Sequence, residues 1–220
     1  MMIKAVIFDM DGLIVDTESL YSIALQMVAQ KRGKDFTLEL KRAIIGKPGM
    51  ISMAIFKEYL GLSDDVSQLL RERETTYGEL LDQAELIPLP GLLNLLDLLD
   101  KLELATAIAS SSQGQWIRVV INKLGIDDRF KAIVSVNDVE NGKPYPDIYL
   151  LAAKRLGVLP EHCLALEDTP TGMEAARRAG MICVAVPNQY SLGLDFSMAD
   201  MVIDSLDEVE DKVLSKYAKI

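Results

Sequence analysis

Short apolar runs punctuate the chain at residues 4–8, 104–109, 132–136, 163–166, 182–186 and 201–203. Runs this brief and unbroken suit strands buried on both faces of a parallel sheet. Between them, apolar residues return at helical spacing. Ile117, Val120, Ile121 and Leu124 form one stripe, closed by Gly125 at a C-cap, and Ile148, Leu151, Ala152 and Leu156 form another, closed by Gly157. Near the end, Ser205 and Glu208 predict a capping box ahead of Leu206, Val209 and Val213. Alternating strands and helices predict an α/β fold with right-handed crossovers.

One stretch breaks the rhythm. Residues 16–86 carry helical periodicity and no strand pattern. Leu20, Ile23, Ala24, Met27 and Val28 share one predicted face, and further helices are expected to start near Thr37, Met50 and Ser63. An all-helical insertion of this size, directly after the first strand, reads as a separate module. Its return linker is Ile87-Pro88-Leu89-Pro90-Gly91, where prolines and a glycine punctuate the chain. The expected division is residues 1–15 with 87–220 as an α/β core and 16–86 as a helical insertion. Crossings at 12–17 and 88–91 would form a two-stranded hinge.

Composition narrows the function. In 220 residues, 33 acidic side chains against 23 basic ones give a formal net charge of −10. A net negative surface repels phosphate backbones, so nucleic acid is not expected as a partner. An anionic substrate would need a local concentration of positive charge, such as a metal ion with one or two lysines. No apolar run approaches the roughly 20 residues that span a bilayer, and the opening Met-Met-Ile-Lys lacks a secretory pattern. Cys163 and Cys183 each lie within an apolar run and read as reduced thiols packed in strands. The expectation is a cytoplasmic protein with neither membrane contact nor an obligate protein partner.

In an open parallel sheet, ligands bind beyond the carboxyl ends of the strands. The polar residues that follow the apolar runs are therefore informative. Asp9, Asp11, Gly12 and Asp16 follow the first; Ser110, Ser111, Ser112 and Gln113 follow the second; Gly142-Lys143-Pro144 lies beyond the third; Glu167-Asp168-Thr169 ends the fourth. Taken singly, these fit a turn, a helix N-cap, a solvated loop lysine and an acidic first helical turn. Together, each at a strand end, they predict one site. Clustered carboxylates repel unless a cation sits among them. Asp9, Asp11, Glu167 and Asp168 offer only hard oxygen ligands, which favours Mg2+. Lys143 adds positive charge, and serine hydroxyls can bind phosphate oxygens.

The segments Phe8-Asp9-Met10-Asp11-Gly12-Leu13-Ile14-Val15-Asp16-Thr17-Glu18, Ile108-Ala109-Ser110-Ser111-Ser112, Gly142-Lys143-Pro144-Tyr145-Pro146-Asp147 and Leu166-Glu167-Asp168-Thr169-Pro170-Thr171-Gly172 resemble the haloacid dehalogenase superfamily. The resemblance is to the branch containing β-phosphoglucomutase and many sugar-phosphate phosphatases, and it spans nearly the whole chain. It implies an α/β, Rossmann-like parallel-sheet core with the helical segment inserted as a cap domain. It also implies a Mg2+-dependent phosphatase acting on a small phosphorylated metabolite. Asp9 would be the nucleophile, becoming an aspartyl phosphate, and Asp11 the general acid and base. Ser110 and Lys143 would bind the transferring phosphoryl group. Mg2+ would be held by the Asp9 side chain, the Asp11 backbone carbonyl and Asp168, with Glu167 as ligand or neighbour.

The presence of Asp11 separates this chain from the superfamily's dehalogenases and phosphonate-cleaving members, which lack an acid there. Thr17, Glu18, Tyr21 and Lys47 are the candidate substrate-facing residues of the cap, with Ser111 and Ser112 on the core; Lys47 alternatively reads as a surface lysine, and Trp116 as packing. The β-phosphoglucomutase pattern has a histidine where this chain has Tyr21 and an arginine in the cap loop that here offers only Lys47. The sole histidine, His162, precedes a strand. These departures favour a phosphatase over a phosphomutase. A non-catalytic binding protein on this fold would be expected to lack one of these groups, and none is missing.

Overall fold

The structure, a computed structural model, describes residues 2–45 and 47–217. In chain order the main elements are β1 (Ala5–Phe8), α1 (Glu18–Gln30), α2 (Leu38–Ile44), α3 (Gly49–Leu60), α4 (Val66–Gln83), α5 (Leu92–Lys101), β2 (Ala105–Ser110), α6 (Gly114–Leu124), β3 (Ala132–Ser135), α7 (Asp147–Leu156), β4 (Cys163–Glu167), α8 (Pro170–Arg178), β5 (Ile182–Ala185) and β6 (Met201–Val202). The six strands form one sheet in the order β3-β2-β1-β4-β5-β6, every pairing parallel. Each apolar run of the sequence is a strand within two residues at either end. β1, β4 and β5 are buried along their whole length, as double-sided burial of a parallel sheet requires.

The chain divides into two compact units, Met1–Asp16 with Leu86–Ile220, and Thr17–Glu85. In the first unit, small residues let helices approach the sheet closely. Ala107, Ala109 and Ala165 on the strands share one cluster with Ile148, Tyr149 and Ala152 of α7 and Ala175 and Ala176 of α8. Gly125 and Gly157 end α6 and α7 in the left-handed conformation, the C-cap geometry a glycine adopts without strain. Within this unit the outgoing and returning segments run side by side: Val15 bridges Pro88 antiparallel, and the Leu89 N–H donates to the Ile14 carbonyl at 2.9 Å.

The second unit is helical, with a core of Leu25, Val28, Ala29, Leu40, Ile44, Met53, Phe56, Leu60 and Leu69. Three details correct the sequence reading. The buried face of α1 runs through Ala24, Leu25, Val28 and Ala29, leaving Ile23 and Met27 substantially exposed. Leu25 and Ala29 take the packed side in place of Ile23 and Met27. Thr37 caps α2 as expected, accepting from the Leu40 N–H, but α4 starts three residues after Ser63, where the Asp65 carboxylate accepts from the Gln68 N–H. Finally, Ser205 and Glu208 form no capping box. A tight 3-10 turn over Leu206–Glu208 brings the Asp207 N–H to the Ser205 hydroxyl, while the Glu208 carboxylate accepts from the Asp204 N–H. Leu206, Val209 and Val213 are nevertheless buried.

No helix among the described residues is long and apolar enough to cross a membrane. Cys163 and Cys183 are free thiols buried in β4 and β5. Burial pushes the Cys163 thiol up to about 11, and burial followed by Glu167 and Asp200 pushes Cys183 higher still. Neither should react with a chromogenic disulfide reagent at pH 8 in the native chain, and both should react after denaturation. Rapid modification of either native thiol would contradict this placement.

Candidate active site

All four sequence clusters of the first unit sit at the carboxyl ends of adjacent strands. Asp9 follows β1 directly, its N–H donating to the Leu166 carbonyl of β4 at 3.0 Å. Ser110 is the last residue of β2 and Glu167 the last of β4, with Asp168 one position beyond. Strand order therefore brings together residues more than 150 positions apart. Lys143 arrives from the loop between β3 and α7.

The centre is a buried charge cluster. Asp9, Lys143 and Asp168 are each 6% exposed and Glu167 is fully buried. The Lys143 Nζ donates to Asp9 Oδ1 at 2.5 Å and to Glu167 Oε1 at 2.6 Å. Glu167 Oε1 also accepts from the Tyr149 hydroxyl at 2.5 Å, and Oε2 from the Thr169 hydroxyl at 3.3 Å. Carboxylate oxygens of Asp9, Glu167 and Asp168 lie within 4.8 Å of one another. Two like charges at that separation cost about 3 kcal/mol at an effective dielectric near 20. One ammonium cannot offset three carboxylates.

The imbalance appears in the proton affinities. Burial, reinforced by Glu167 and Asp11 and opposed by Lys143, holds the Asp9 carboxyl well above the ordinary carboxylate range. Burial, then Asp9 and Glu167, push Asp168 the same way. Burial alone would lower the Lys143 ammonium, but Asp9 and Glu167 outweigh it and raise it. A cluster that resists its own ionisation is one a divalent cation would satisfy. Its donors are oxygens only, which fits Mg2+ and not a soft metal.

Asp11 is held by a different set of partners. Its Oδ2 accepts from the Ser112 hydroxyl at 2.7 Å and the Ser110 hydroxyl at 3.2 Å, while the Ser110 oxygen accepts from the Ser112 N–H at 3.0 Å. Ser110 and Ser112 are buried, whereas Ser111 is exposed. The Asp11 carboxylate is thus held by two serine hydroxyls. The remaining candidates lie in the helical unit. Thr17 is buried at the start of α1, and Glu18 pairs with Lys41 at 3.4 Å. Tyr21 stacks on Tyr77 with centroids 3.9 Å apart and Arg73 above its ring, and Lys47 is exposed before α3. Gly46, in the same loop, lies outside the described residues.

Two contributors escaped the sequence reading. Tyr149 lies one position off the Ile148, Leu151, Ala152, Leu156 stripe; its signal was a phenol on a helix flank with a hydroxyl that must find a partner once buried. Asn188 follows the fifth apolar run, so asking of that run what was asked of the first four would have found it. Its amide donates to Asp168 Oδ2 at 2.7 Å and to the Gly12 carbonyl at 2.9 Å.

Comparison with known proteins accords with this arrangement. The family model described as "Haloacid dehalogenase-like hydrolase" matches residues 6–186. A Thermotoga maritima protein named "Phosphorylated carbohydrates phosphatase" is 35% identical over 182 residues, covering 81% of this chain and 82% of its own. The "Beta-phosphoglucomutase" of Bacillus subtilis is 33% identical over 217 residues, covering 93% and 94% respectively. Among solved structures, CbbY of Rhodobacter sphaeroides in complex with phosphate superposes with a TM-score of 0.86 at 27% identity, covering 94% of this chain and 96% of that one.

Gly172 offers a sharp test of the cluster. A Cβ there would lie 1.9–2.1 Å from the Glu167 carboxyl group. Gly172→Ala must displace Glu167 and with it Lys143, so thermal unfolding should shift down by the equivalent of about 1–3 kcal/mol. Unfolding at the wild-type temperature would show that Glu167 is not fixed as described.

Proposed function

The chain belongs to the haloacid dehalogenase-like hydrolase family, and from that premise we propose that it is a Mg2+-dependent phosphatase of small phosphorylated metabolites, sugar phosphates foremost. The observation that carries this reading is the pairing of two separately held aspartates, Asp9 in the cation-seeking cluster and Asp11 on the serine hydroxyls.

In the first step an Asp9 carboxylate oxygen attacks phosphorus, forming an aspartyl phosphate as the ester P–O bond breaks. Asp11 gives its proton to the departing alkoxide. In the second step Asp11 takes a proton from water, the water oxygen attacks phosphorus, and the Asp9–phosphorus bond breaks to release phosphate. Lys143, fixed between Asp9 and Glu167, offsets negative charge where phosphate approaches, and the Ser110 hydroxyl, which donates to Asp11 without substrate, would turn to donate to a phosphoryl oxygen. Mg2+, held by Asp9, Asp168 and the Asp11 backbone carbonyl with Glu167 as ligand or neighbour, would supply the further positive charge that lets a carboxylate meet a phosphate dianion.

The helical unit is assigned the role of cap, with Thr17, Glu18, Tyr21 and Lys47 as the candidates for recognising the leaving group. Adjacent outgoing and returning segments at Val15 and Pro88 support a hinge there. Closure would exclude water until the phosphoryl group has moved. The likeness to a named phosphatase of phosphorylated carbohydrates supports the substrate class. A reducing, cytoplasmic setting accords with two free buried thiols. The second reading is a phosphomutase, favoured by the 33% identity to β-phosphoglucomutase. Tyr21 and Lys47 in place of that pattern's histidine and arginine count against it.

A panel of sugar phosphates with p-nitrophenyl phosphate tests the assignment. Phosphate release should require Mg2+ and stop in Asp9→Asn, and Asp11→Asn should lose about 10²–10⁴ in turnover on alkyl phosphates. Conversion of glucose 1-phosphate to glucose 6-phosphate, without net phosphate release, would decide for the mutase.

A further inference from the structure

We propose that Asn188 is a positioning residue for the cation site: its side-chain amide fixes the Asp168 carboxylate against the Gly12 backbone, and so sets the affinity for Mg2+. This deepens the phosphatase reading and rests on it. Asn188 lies in the loop between β5 and β6, outside the four sequence clusters that define the site.

The geometry is that of a built bridge. One Asn188 amide nitrogen spans two segments, donating to Asp168 Oδ2 at 2.7 Å and to the Gly12 carbonyl at 2.9 Å. The other end of the side chain is occupied: Oδ1 accepts from the N–H groups of Tyr190 at 2.8 Å and Ser191 at 3.2 Å. The Asn188 N–H donates to the Ser191 hydroxyl at 3.0 Å. With Oδ1 committed to two donors, the amide cannot flip without losing both, so its nitrogen must face Asp168. Gly12 confirms how closely the three groups approach. It adopts φ +81°, and a Cβ there would stand 2.4 Å from both the Asn188 amide nitrogen and Asp168 Oδ2.

The neighbouring residues seat the loop on the first motif. The Tyr190 hydroxyl donates to Asp16 Oδ2 at 3.1 Å and the Gln189 amide to the same oxygen at 3.3 Å. The loop therefore grips both ends of the segment from Gly12 to Asp16 while presenting one donor to Asp168. A single hydrogen bond to one carboxylate oxygen restricts the rotation of that carboxylate, which lies with Asp9 and Glu167 in the acidic cluster. Holding Asp168 in this way among like charges is work that folding has done before a cation arrives. Loss of such an outer contact typically weakens metal binding by about 10–100-fold.

Calorimetric titration of the full chain with Mg2+ alone tests this, with wild type, Asn188→Ala and Asn188→Ser compared. Serine retains an acceptor for the Tyr190 and Ser191 N–H groups but cannot reach Asp168, so it separates loop structure from the bridge. The expected result is a Mg2+ dissociation constant raised about 10–100-fold in both variants, with kcat recovering at saturating Mg2+. Asn188→Ser unfolding at the wild-type temperature without metal would exclude a merely structural effect. Wild-type Mg2+ affinity in folded Asn188→Ser overturns the proposal while leaving the phosphatase reading standing. A wild-type chain that binds no Mg2+ overturns both.

Discussion

Three carboxylates and one ammonium, all buried at the ends of β1 and β4, impose the constraint on which the site depends. Burying charge is costly unless it is paired, and here pairing is incomplete by construction. Lys143 bridges Asp9 and Glu167, and Tyr149 and Thr169 complete the hydrogen bonding of Glu167. Asp168 instead faces an amide. The residual negative charge is concentrated where, in the proposed reaction, a carboxylate would meet an anionic substrate. The same repulsion that penalises the folded chain gives it a reason to bind a cation.

The rest of the first unit exists, in this view, to hold that arrangement against its own repulsion. The parallel sheet places β1 between β2 and β4, so Asp9 is flanked by Ser110 on one side and Glu167 on the other. Glycines stand where side chains would intrude, Gly172 against Glu167 and Gly12 against Asp168. The division of labour between two aspartates two residues apart follows from their different partners: Asp9 is committed to a lysine, Asp11 to serine hydroxyls. These different settings are the basis of the roles proposed for them, nucleophile for Asp9 and proton carrier for Asp11.

Much of this was legible in the sequence because parallel sheets translate directly into pattern. Double-sided burial gives unbroken apolar runs, and the ligand edge gives polar residues straight after them, so Asp9, Ser110, Glu167 and Asp168 could be placed without coordinates. What escaped was whatever depends on side-chain partners and not on period. Asn188 follows a strand but carries no charge, and Tyr149 sits on a helix flank, so neither stands out by residue type. The buried face of α1 takes in Leu25 and Ala29 in place of Ile23 and Met27, because this helix carries apolar residues on more than one side and periodicity alone does not choose between them. At Ser205 the hydroxyl accepts from the Asp207 N–H and the Glu208 carboxylate reaches back to the Asp204 N–H, so both partners are one residue off those a capping box needs. The polar residues of the helical unit, proposed to choose the substrate, carry no periodic signature.

The most direct measurement is thermal unfolding of the wild-type chain and Asp168→Asn, each with and without Mg2+. If unbalanced buried charge is the organising constraint, the metal-free variant should be at least as stable as metal-free wild type, because one like charge is gone. Mg2+ should then stabilise wild type, by about 2.7 kcal/mol at a hundredfold excess over its dissociation constant, and leave the variant unmoved. An unfolding temperature indifferent to Mg2+ in both proteins, or a metal-free variant clearly less stable than wild type, would contradict it.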